Sequence, residues 1–468
     1  MAADFYKSLS EKRILIAGAG VTGLPVARAL QVRGADVSFA DDRISSVEGF
    51  TVKIPANIKS EDFDALLVSP GWREDHPLIR LAKNEGKAIL NEVDFAWAIK
   101  NEINPSQKWL ALTGTNGKTT TVEMVAHIFA TARVNGIACG NVGRTVIESV
   151  LSPEKYDVLI LELSSFQLHW LEDAEFTSTA LLNIADDHID WHGSFDAYAQ
   201  AKVSILDKCA TAILNADDGE VVSRTAHWRG RKIFYSLDTP APGEIGIVEE
   251  LLVDRAFVAD VQEAKVFAEL TEIIPTVPHQ ISNALAAAGL ASTIGISHED
   301  IRAALSTFKS GAHRIEKVGI SNEVTWIDDS KATNPHAAEA SILANLSVIW
   351  IAGGLAKGSQ MESLVERTSP RLKAAILIGA DRDLIAAEVR KFKPELPLFL
   401  MDPPANYQPG ATSNQFMESI VVKAHELAAP GDSVLLAPAC ASMDQFLSYA
   451  DRGDRFQQAV KKVVLNER

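Results

Sequence analysis

The sequence is poor in cysteine: Cys139, Cys209 and Cys440 are the three in 468 residues, and they lie far apart. They form no CxxC pair, which argues against a structural zinc site or a disulfide framework. No apolar run is long enough to cross a bilayer. The stretch from Met1 to Lys12 is polar and has no apolar signal core, so a reducing cytoplasm is the expected compartment. Positive charge is also short. Lys and Arg number 45 against 61 Asp and Glu, a net charge of -16. Such a chain repels phosphate backbones and anionic lipid surfaces, so neither nucleic acid nor membrane is an expected partner. There is no short internal repeat and no low-complexity tract. Nothing marks a subunit interface, and a monomer is expected.

What is present is a globular composition, 47% hydrophobic and 23% charged, sufficient for real cores. At roughly 150 residues per domain the length suggests about three domains. Short apolar runs alternate with amphipathic stretches almost throughout. Arg13–Ala17, Val37–Ala40 and Ala65–Val68 read as buried strands, with helices over Leu24–Val32 and Leu78–Glu85. That alternation predicts a parallel sheet covered on both faces. The polar run Asn101–Gln107, with Pro105, reads as a linker. A second series has strands at Trp109–Leu112, Val158–Leu163, Thr179–Ile184 and Ala212–Leu214. It continues with a β-rich insertion over Glu244–Leu270 and an Ala-rich helix over Ile281–Ala291. Phe308–Arg314 reads as a second boundary. A third series has strands at Val324–Ile327, Val348–Ile351, Ala374–Ile378, Leu398–Leu400 and Ser433–Leu436. The fold class is therefore α/β, with three domains in tandem.

Two glycine-rich turns stand between a strand and a helix. Gly18-Ala19-Gly20-Val21-Thr22-Gly23 has Asp41 about 20 residues on, which is the dinucleotide fingerprint. Its glycines allow a diphosphate to approach the helix N-terminus. A nicotinamide dinucleotide, a nucleotide-sugar diphosphate, or a tight turn with no ligand all satisfy the pattern. The second turn is Gly114-Thr115-Asn116-Gly117-Lys118-Thr119-Thr120. A standard P-loop needs glycine where Leu112 stands, so the strict pattern fails. Its working parts remain: backbone N–H groups for phosphate oxygens, Lys118 for the β/γ-phosphates, and Thr119 or Thr120 for Mg²⁺.

Other residues gain meaning beside that turn. Glu162 ends a buried strand, where an acid beside a P-loop commonly holds a metal. Asn183-Ile184-Ala185-Asp186-Asp187-His188 offers acids and a histidine, although His188 alone reads as structural. Lys202 alone reads as a solvated helix residue. Asp328-Asp329-Ser330-Lys331-Ala332-Thr333-Asn334-Pro335 reads as an Asp/Ser helix cap before a proline, a role that does not exclude function. His313-Arg314 offers a planar cation suited to phosphate.

Taken in order along nearly the whole chain, these blocks resemble the Mur ligase family. Glu162-Leu163-Ser164-Ser165-Phe166-Gln167-Leu168 and Asp329-Ser330-Lys331-Ala332-Thr333-Asn334 resemble its D-glutamate-adding branch, as does Pro438–Phe446. The Asp-Asn-Pro-Arg motif of the diaminopimelate-adding branch is absent. Gln280, Ala312 and Tyr449 depart from the usual residues of relatives.

The resemblance implies a Rossmann-like domain over 1–106 for the UDP substrate. It implies a central P-loop ATPase-like domain over 107–311 and a Rossmann-like domain over 312–468 for the amino acid. The implied reaction is ATP-dependent joining of D-glutamate to UDP-N-acetylmuramoyl-L-alanine, through an acyl phosphate, in peptidoglycan precursor synthesis. Gly114, Thr115, Asn116, Gly117, Lys118, Thr119 and Thr120 would cradle ATP, with Asn283, Arg314 and Asp329 as further contacts. Two Mg²⁺ ions are implied, one on Thr119 and Glu162, the other on His188 and a carbamylated Lys202. Lys118, Glu162, His188 and Lys202 would carry catalysis. Val21, Thr22, Asp41, Arg43 and Gly71 would hold UDP, and Asn141 and Ser164 the muramoyl part. Lys331, Thr333, Lys357, Ser442 and Tyr449 would hold D-glutamate.

Overall fold

A computed structural model of the chain describes residues 6, 9–260, 262–410 and 413–465. Much of the polar N-terminal stretch lies outside them. The first sheet holds β1 (Arg13–Ala17), β2 (Asp36–Ala40), β3 (Thr51–Lys53), β4 (Ala65–Val68) and β5 (Ala88–Leu90), in the order β3-β2-β1-β4-β5. Every pairing in it is parallel. Leu15, Ile16 and Ala17 are fully buried, as expected for a strand with both faces covered. Helices α1 (Gly23–Val32), α2 (Pro77–Asn84) and α3 (Glu92–Ile103) accompany it. The expected linker is therefore shorter than Asn101–Gln107. Its first three residues complete the last turn of α3, and the helix ends where Asn104 leaves helical geometry just before Pro105, the conformation that a following proline favours.

The second sheet contains β6 (Lys108–Thr113), β7 (Gly136–Gly140), β8 (Val158–Glu162), β9 (Ser178–Leu181), β10 (Thr211–Asn215), β11 (Arg231–Tyr235), β12 (Ile245–Val248), β13 (Leu251–Asp254) and β14 (Lys265–Glu269). Their order is β14-β13-β12-β11-β10-β9-β6-β8-β7. It is parallel from β12 to β7, but β12, β13 and β14 form an antiparallel meander. The expected β-rich insertion is thus an extension of this sheet. Helices α4 (Lys118–Thr131), α5 (Val146–Val150), α6 (Ser165–Trp170), α7 (Phe195–Val203) and α8 (Pro278–Thr293) belong to this region. From Ala284 to Ala288, α8 is wholly buried, which its small side chains permit at close packing. The strand expected over Thr179–Ile184 stops at Leu181, because Leu182 to Ile184 turn toward the glycine-rich loop: Thr115 N–H donates to the Asn183 carbonyl at 3.0 Å.

The third sheet contains β15 (Glu316–Ser321), β16 (Val324–Asp328), β17 (Val348–Gly353), β18 (Leu372–Ile378), β19 (Leu398–Leu400) and β20 (Ser433–Leu436), in the order β15-β16-β20-β17-β18-β19. The β15–β16 pair is antiparallel and the remainder parallel. Helices α9 (Pro335–Leu343) and α10 (Tyr449–Val463) flank it. Two apolar clusters form, one around Trp350 and Leu377, the other around Trp326 and Phe456.

The chain divides into two compact units. One comprises Met1–Ile184, Asp196–Thr276 and Gln280–Phe308. The other comprises Ala185–Phe195, Val277–His279 and Lys309–Arg468. Among the described residues no helix is long and apolar enough to cross a membrane.

Candidate active site

In the first unit, sheet register brings the central residues together. Leu112 of β6 and Gly140 of β7 both pair with Glu162 of β8. The glycine-rich turn leaving β6, the turn leaving β7 and the acid ending β8 therefore open at one end of the sheet. Ligands bind beyond the carboxyl ends of parallel strands for this reason.

Gly117 begins α4 with φ +81°, and a Cβ there would meet Asn283 Oδ1 at 2.4 Å. Only glycine fits both the backbone and the approach of α8. Asn283 is thus beside the turn despite its distance in sequence. Asn116 N–H donates to Asn183 Oδ1 at 2.8 Å, and Asn183 Nδ2 returns to the Asn116 carbonyl at 3.1 Å. Lys118 folds onto the turn, donating to the Gly114 and Thr115 carbonyls at 2.8 Å each. Thr119 and Thr120 open α4 behind it.

Glu162 is 1% exposed. Its Oε1 accepts from Asn141 Nδ2 at 2.9 Å, while its Oε2 is buried with no hydrogen-bond partner. An anionic oxygen left bare in the interior is costly. A divalent cation would answer it, since Mg²⁺ takes oxygen ligands, so the residues present fit one such ion at Glu162. Ser164 caps α6, its hydroxyl accepting from Gln167 N–H at 3.2 Å.

Lys202 departs from the solvated reading: it is 1% exposed on α7. Its Nζ donates to the Gly114 carbonyl at 2.7 Å and lies 4.7 Å from the Tyr198 ring centroid. Tyr198 in turn shares a 2.9 Å hydrogen bond with Thr115 Oγ1. Tyr198 was not singled out by the sequence. Its signal is its spacing, one helical turn before Lys202 and so on the same face.

The first glycine-rich turn lies in the same unit. Asp41 accepts from Ala19 N–H at 2.9 Å and from Arg43 and Ile44 N–H at 2.8 Å each. Partial burial opposes its charge, yet these three donors outweigh that and hold its carboxyl below the usual aspartate value. Val21 is 85% exposed, and Thr22 caps α1 with no side-chain bond. Gly71 lies in the turn after β4.

In the second unit, β16, β20 and β17 are neighbours, so the turns leaving them meet. Ala439 N–H donates to the Ala332 carbonyl at 2.9 Å, and Leu355 and Ala441 exchange backbone bonds at 2.9 Å each. This gathers Lys331, Thr333, Lys357 and Ser442 into one group of loops. The Lys331 ammonium sits 3.8 Å from the Tyr449 ring centroid. Arg452 was also not foreseen. Fully buried, it ties the group together through the Ser330 and Cys440 carbonyls, at 3.0 Å and 3.2 Å. Burial lowers its pKa to about 10.

Asp329 is buried, and that burial pushes its carboxyl up to about 7 against hydrogen bonds from the Ser341 hydroxyl and Ile315 N–H. It does not cap α9. Asn334 does, accepting from Ala337 N–H at 2.9 Å. The expected Asp/Ser cap gives way because Pro335 opens the helix and so fixes the preceding residue as its cap. His313 Nδ1 pairs with Asp328 Oδ2 at 2.7 Å, a bond that raises its pKa, and Arg314 follows it. His188 lies in the 185–195 segment with left-handed φ +52°, its Nε2 3.6 Å from Asp187 Oδ2.

Comparison with known proteins places the chain as follows. The Mur ligase middle domain matches residues 112–291, and the Mur ligase glutamate ligase domain matches 313–440. The chain is 42% identical to UDP-N-acetylmuramoylalanine–D-glutamate ligase of Streptomyces coelicolor, over 97% of this chain and 98% of that protein. It is 40% identical to the ligase of the same name from Thermobifida fusca, over 97% and 99%. In fold it is similar to a pseudomurein peptide ligase type C from Methanothermus fervidus, with TM-score 0.60 and 20% identity over 97% of this chain and 100% of that one. It is likewise similar to UDP-N-acetylmuramate–alanine ligase from Thermotoga maritima, with TM-score 0.57 and 17% identity over 97% and 100%.

Proposed function

The chain belongs to the Mur ligase family, and from that premise we infer that it joins D-glutamate to UDP-N-acetylmuramoyl-L-alanine with ATP as the energy source, in peptidoglycan synthesis. The observation that carries this reading is full-length identity of about 40% to several ligases of that name. The reaction is assigned to the cytoplasm and to a monomer. The working divisions are 1–106 for the UDP substrate, 107–311 for ATP and 312–468 for the amino acid.

A carboxylate is a poor electrophile toward an amine. The L-alanine carboxylate of the UDP substrate must first attack the γ-phosphorus of ATP, giving an acyl phosphate and ADP. The amine of D-glutamate then attacks the acyl carbon, and the tetrahedral intermediate releases inorganic phosphate and the amide. The protein contributes positioning and electrostatics. The turn from Gly114 to Thr120 presents backbone N–H groups to the phosphates, and Lys118 leaves its two carbonyl partners to meet the γ-phosphate. Asn283, Arg314 and Asp329 complete the nucleotide side. Glu162 and Thr119 would hold one Mg²⁺, and His188 with Lys202 a second. Bound there, Mg²⁺ neutralises charge on the transferred phosphoryl group.

A bare ammonium at Lys202 would repel a cation. Carbamylation keeps an N–H for the Gly114 carbonyl and adds one carboxylate whose two oxygens share a single negative charge, which fits a buried lysine next to a phosphate turn. Val21, Thr22, Asp41, Arg43 and Gly71 receive UDP, and Asn141 and Ser164 the muramoyl part. Lys331, Thr333, Lys357, Ser442 and Tyr449 receive D-glutamate.

The test is phosphate release from ATP and Mg²⁺ with UDP-N-acetylmuramoyl-L-alanine, comparing D-glutamate, L-glutamate and other amino acids. Release that depends on D-glutamate, with the new amide seen by mass spectrometry, is the expected result. Release with another amino acid keeps the family and moves the step.

A further inference from the structure

Glu92 opens α3, beside the first sheet, yet its carboxylate serves a different region. It is buried, and its Oε1 accepts the Ile147 N–H at 2.7 Å. Ile147 is the second residue of α5, whose first N–H groups a helix cannot satisfy internally. The rest of that terminus is closed locally: Thr145 N–H donates to Glu148 Oε2 at 3.0 Å, and Glu148 N–H to Thr145 Oγ1 at 3.3 Å.

Directly before α5 lies the turn 140–144. Gly140 N–H donates to the Arg144 carbonyl at 3.1 Å, and Asn141 N–H to the Glu162 carbonyl at 2.8 Å. The Asn141 side chain then holds Glu162 Oε1 and leaves Oε2 open. A continuous run of bonds thus leads from Glu92 through α5 and Asn141 to Glu162.

An apolar residue would fill this buried position more cheaply than a carboxyl group. Burial drives the Glu92 carboxyl up to about 7, partly offset by backbone N–H groups in the first turn of α5 and reinforced by Glu148. A group that is costly to bury and accepts a helix-terminal N–H bond is explained by what it holds in place. We propose that Glu92 is a positioning residue for the ligase reaction, anchoring α5 so that Asn141 presents Glu162 to its Mg²⁺. The proposal rests on the reading of Glu162 as a metal ligand.

The test uses the full chain. Mn²⁺ binding in the presence of ADP is read by electron paramagnetic resonance without turnover, and beside it phosphate release is titrated with Mg²⁺ and with D-glutamate. Glu92→Ala should weaken the Mn²⁺ binding, and unchanged binding overturns the proposal. Glu92→Ala is expected to raise the half-saturating Mg²⁺ about tenfold, the scale seen when a group supporting a metal ligand is lost. The KM for D-glutamate should stay unchanged, and Glu92→Gln, which keeps an acceptor oxygen, should recover most of the loss. In an Asn141→Ala background, Glu92→Ala should add little, because the two act in series. An unchanged Mg²⁺ requirement in Glu92→Ala, or an undiminished effect without Asn141, overturns the proposal. If Glu92→Ala does not fold, Glu92→Asp, whose shorter side chain withdraws the acceptor, carries the same criterion. Glu162→Gln separates the two levels: if it leaves the Mg²⁺ requirement unaltered, the metal reading of Glu162 fails.

Discussion

The two glycine-rich turns of the first unit use one backbone device under different electrostatics. Each leaves an inner strand paired in parallel with both neighbours and opens a helix, β1 into α1 and β6 into α4. The first is open. Val21 is largely exposed, and the Asp41 carboxylate holds the Ala19 N–H. The second is enclosed, with Lys118 and Lys202 donating to its carbonyls and Glu162 ending the neighbouring strand. A diphosphate that is only held needs N–H donors and a helix terminus. A phosphoryl group that is transferred also needs cations placed where charge develops. On the function proposed above, the two turns differ as gripping a substrate differs from reacting with one.

That contrast can be broken most forcefully at Lys118. Lys118→Ala is expected to lower kcat by about a thousandfold or more, since phosphoryl transfer depends on charge compensation. Calorimetry should show the UDP substrate still bound, and weakened binding there would mean the turns are not separate in function. Next comes Lys202→Ala, expected to lose about a hundredfold in kcat, the scale of removing one preorganised electrostatic group. High bicarbonate or a short-chain carboxylate should partly restore it. Full activity without additives would sink the carbamate.

The glycines sharpen the comparison because each variant should damage only its own ligand. A Cβ at Gly117 meets Asn283 Oδ1, and at Gly23 it meets the Gly18 carbonyl at 2.4 Å. Gly117→Ala should raise the KM for ATP. Gly23→Ala should raise the KM for the UDP substrate by about tenfold with kcat nearly kept, the signature of lost ground-state binding. Crossed effects in steady-state kinetics would show that the turns are coupled.

The smallest effect is expected at Asp41→Asn. The folded carboxyl is held below its ordinary value of 3.8. It therefore contributes stability that is present above that value and lost as pH falls through the folded pKa. Urea midpoints of the wild type and Asp41→Asn should differ near neutrality and converge under acid conditions.

Strands with dense apolar runs were legible in the sequence: Arg13–Ala17, Ala65–Val68, Leu398–Leu400 and Ser433–Leu436 match the structure at both ends. The strands without that signal were not. Thr51–Lys53 and Ala88–Leu90 span three residues each, and Gly136–Gly140 carries glycine at both ends. Arg231–Tyr235 and Glu316–Ser321 mix charge with apolar residues because both are partly exposed. Partner strands, rather than local pattern, recruit such segments. The β-rich insertion over Glu244–Leu270 was expected, but its antiparallel direction and that of the β15–β16 pair were not, since strand direction depends on how the chain returns.

By itself the sequence determined the α/β class, the two phosphate-type turns, and the residue blocks that mark the family. These are local or ordered along the chain, so composition, periodicity and spacing record them. Tertiary structure alone decided that Glu162 is buried with one oxygen unpaired, that Lys202 is buried under the Gly114 carbonyl, and that Arg452 binds three loops together. It also decided that Glu92 reaches a helix 55 residues away. Burial and pairing are properties of what the fold brings near a side chain, and no window along the sequence contains those neighbours.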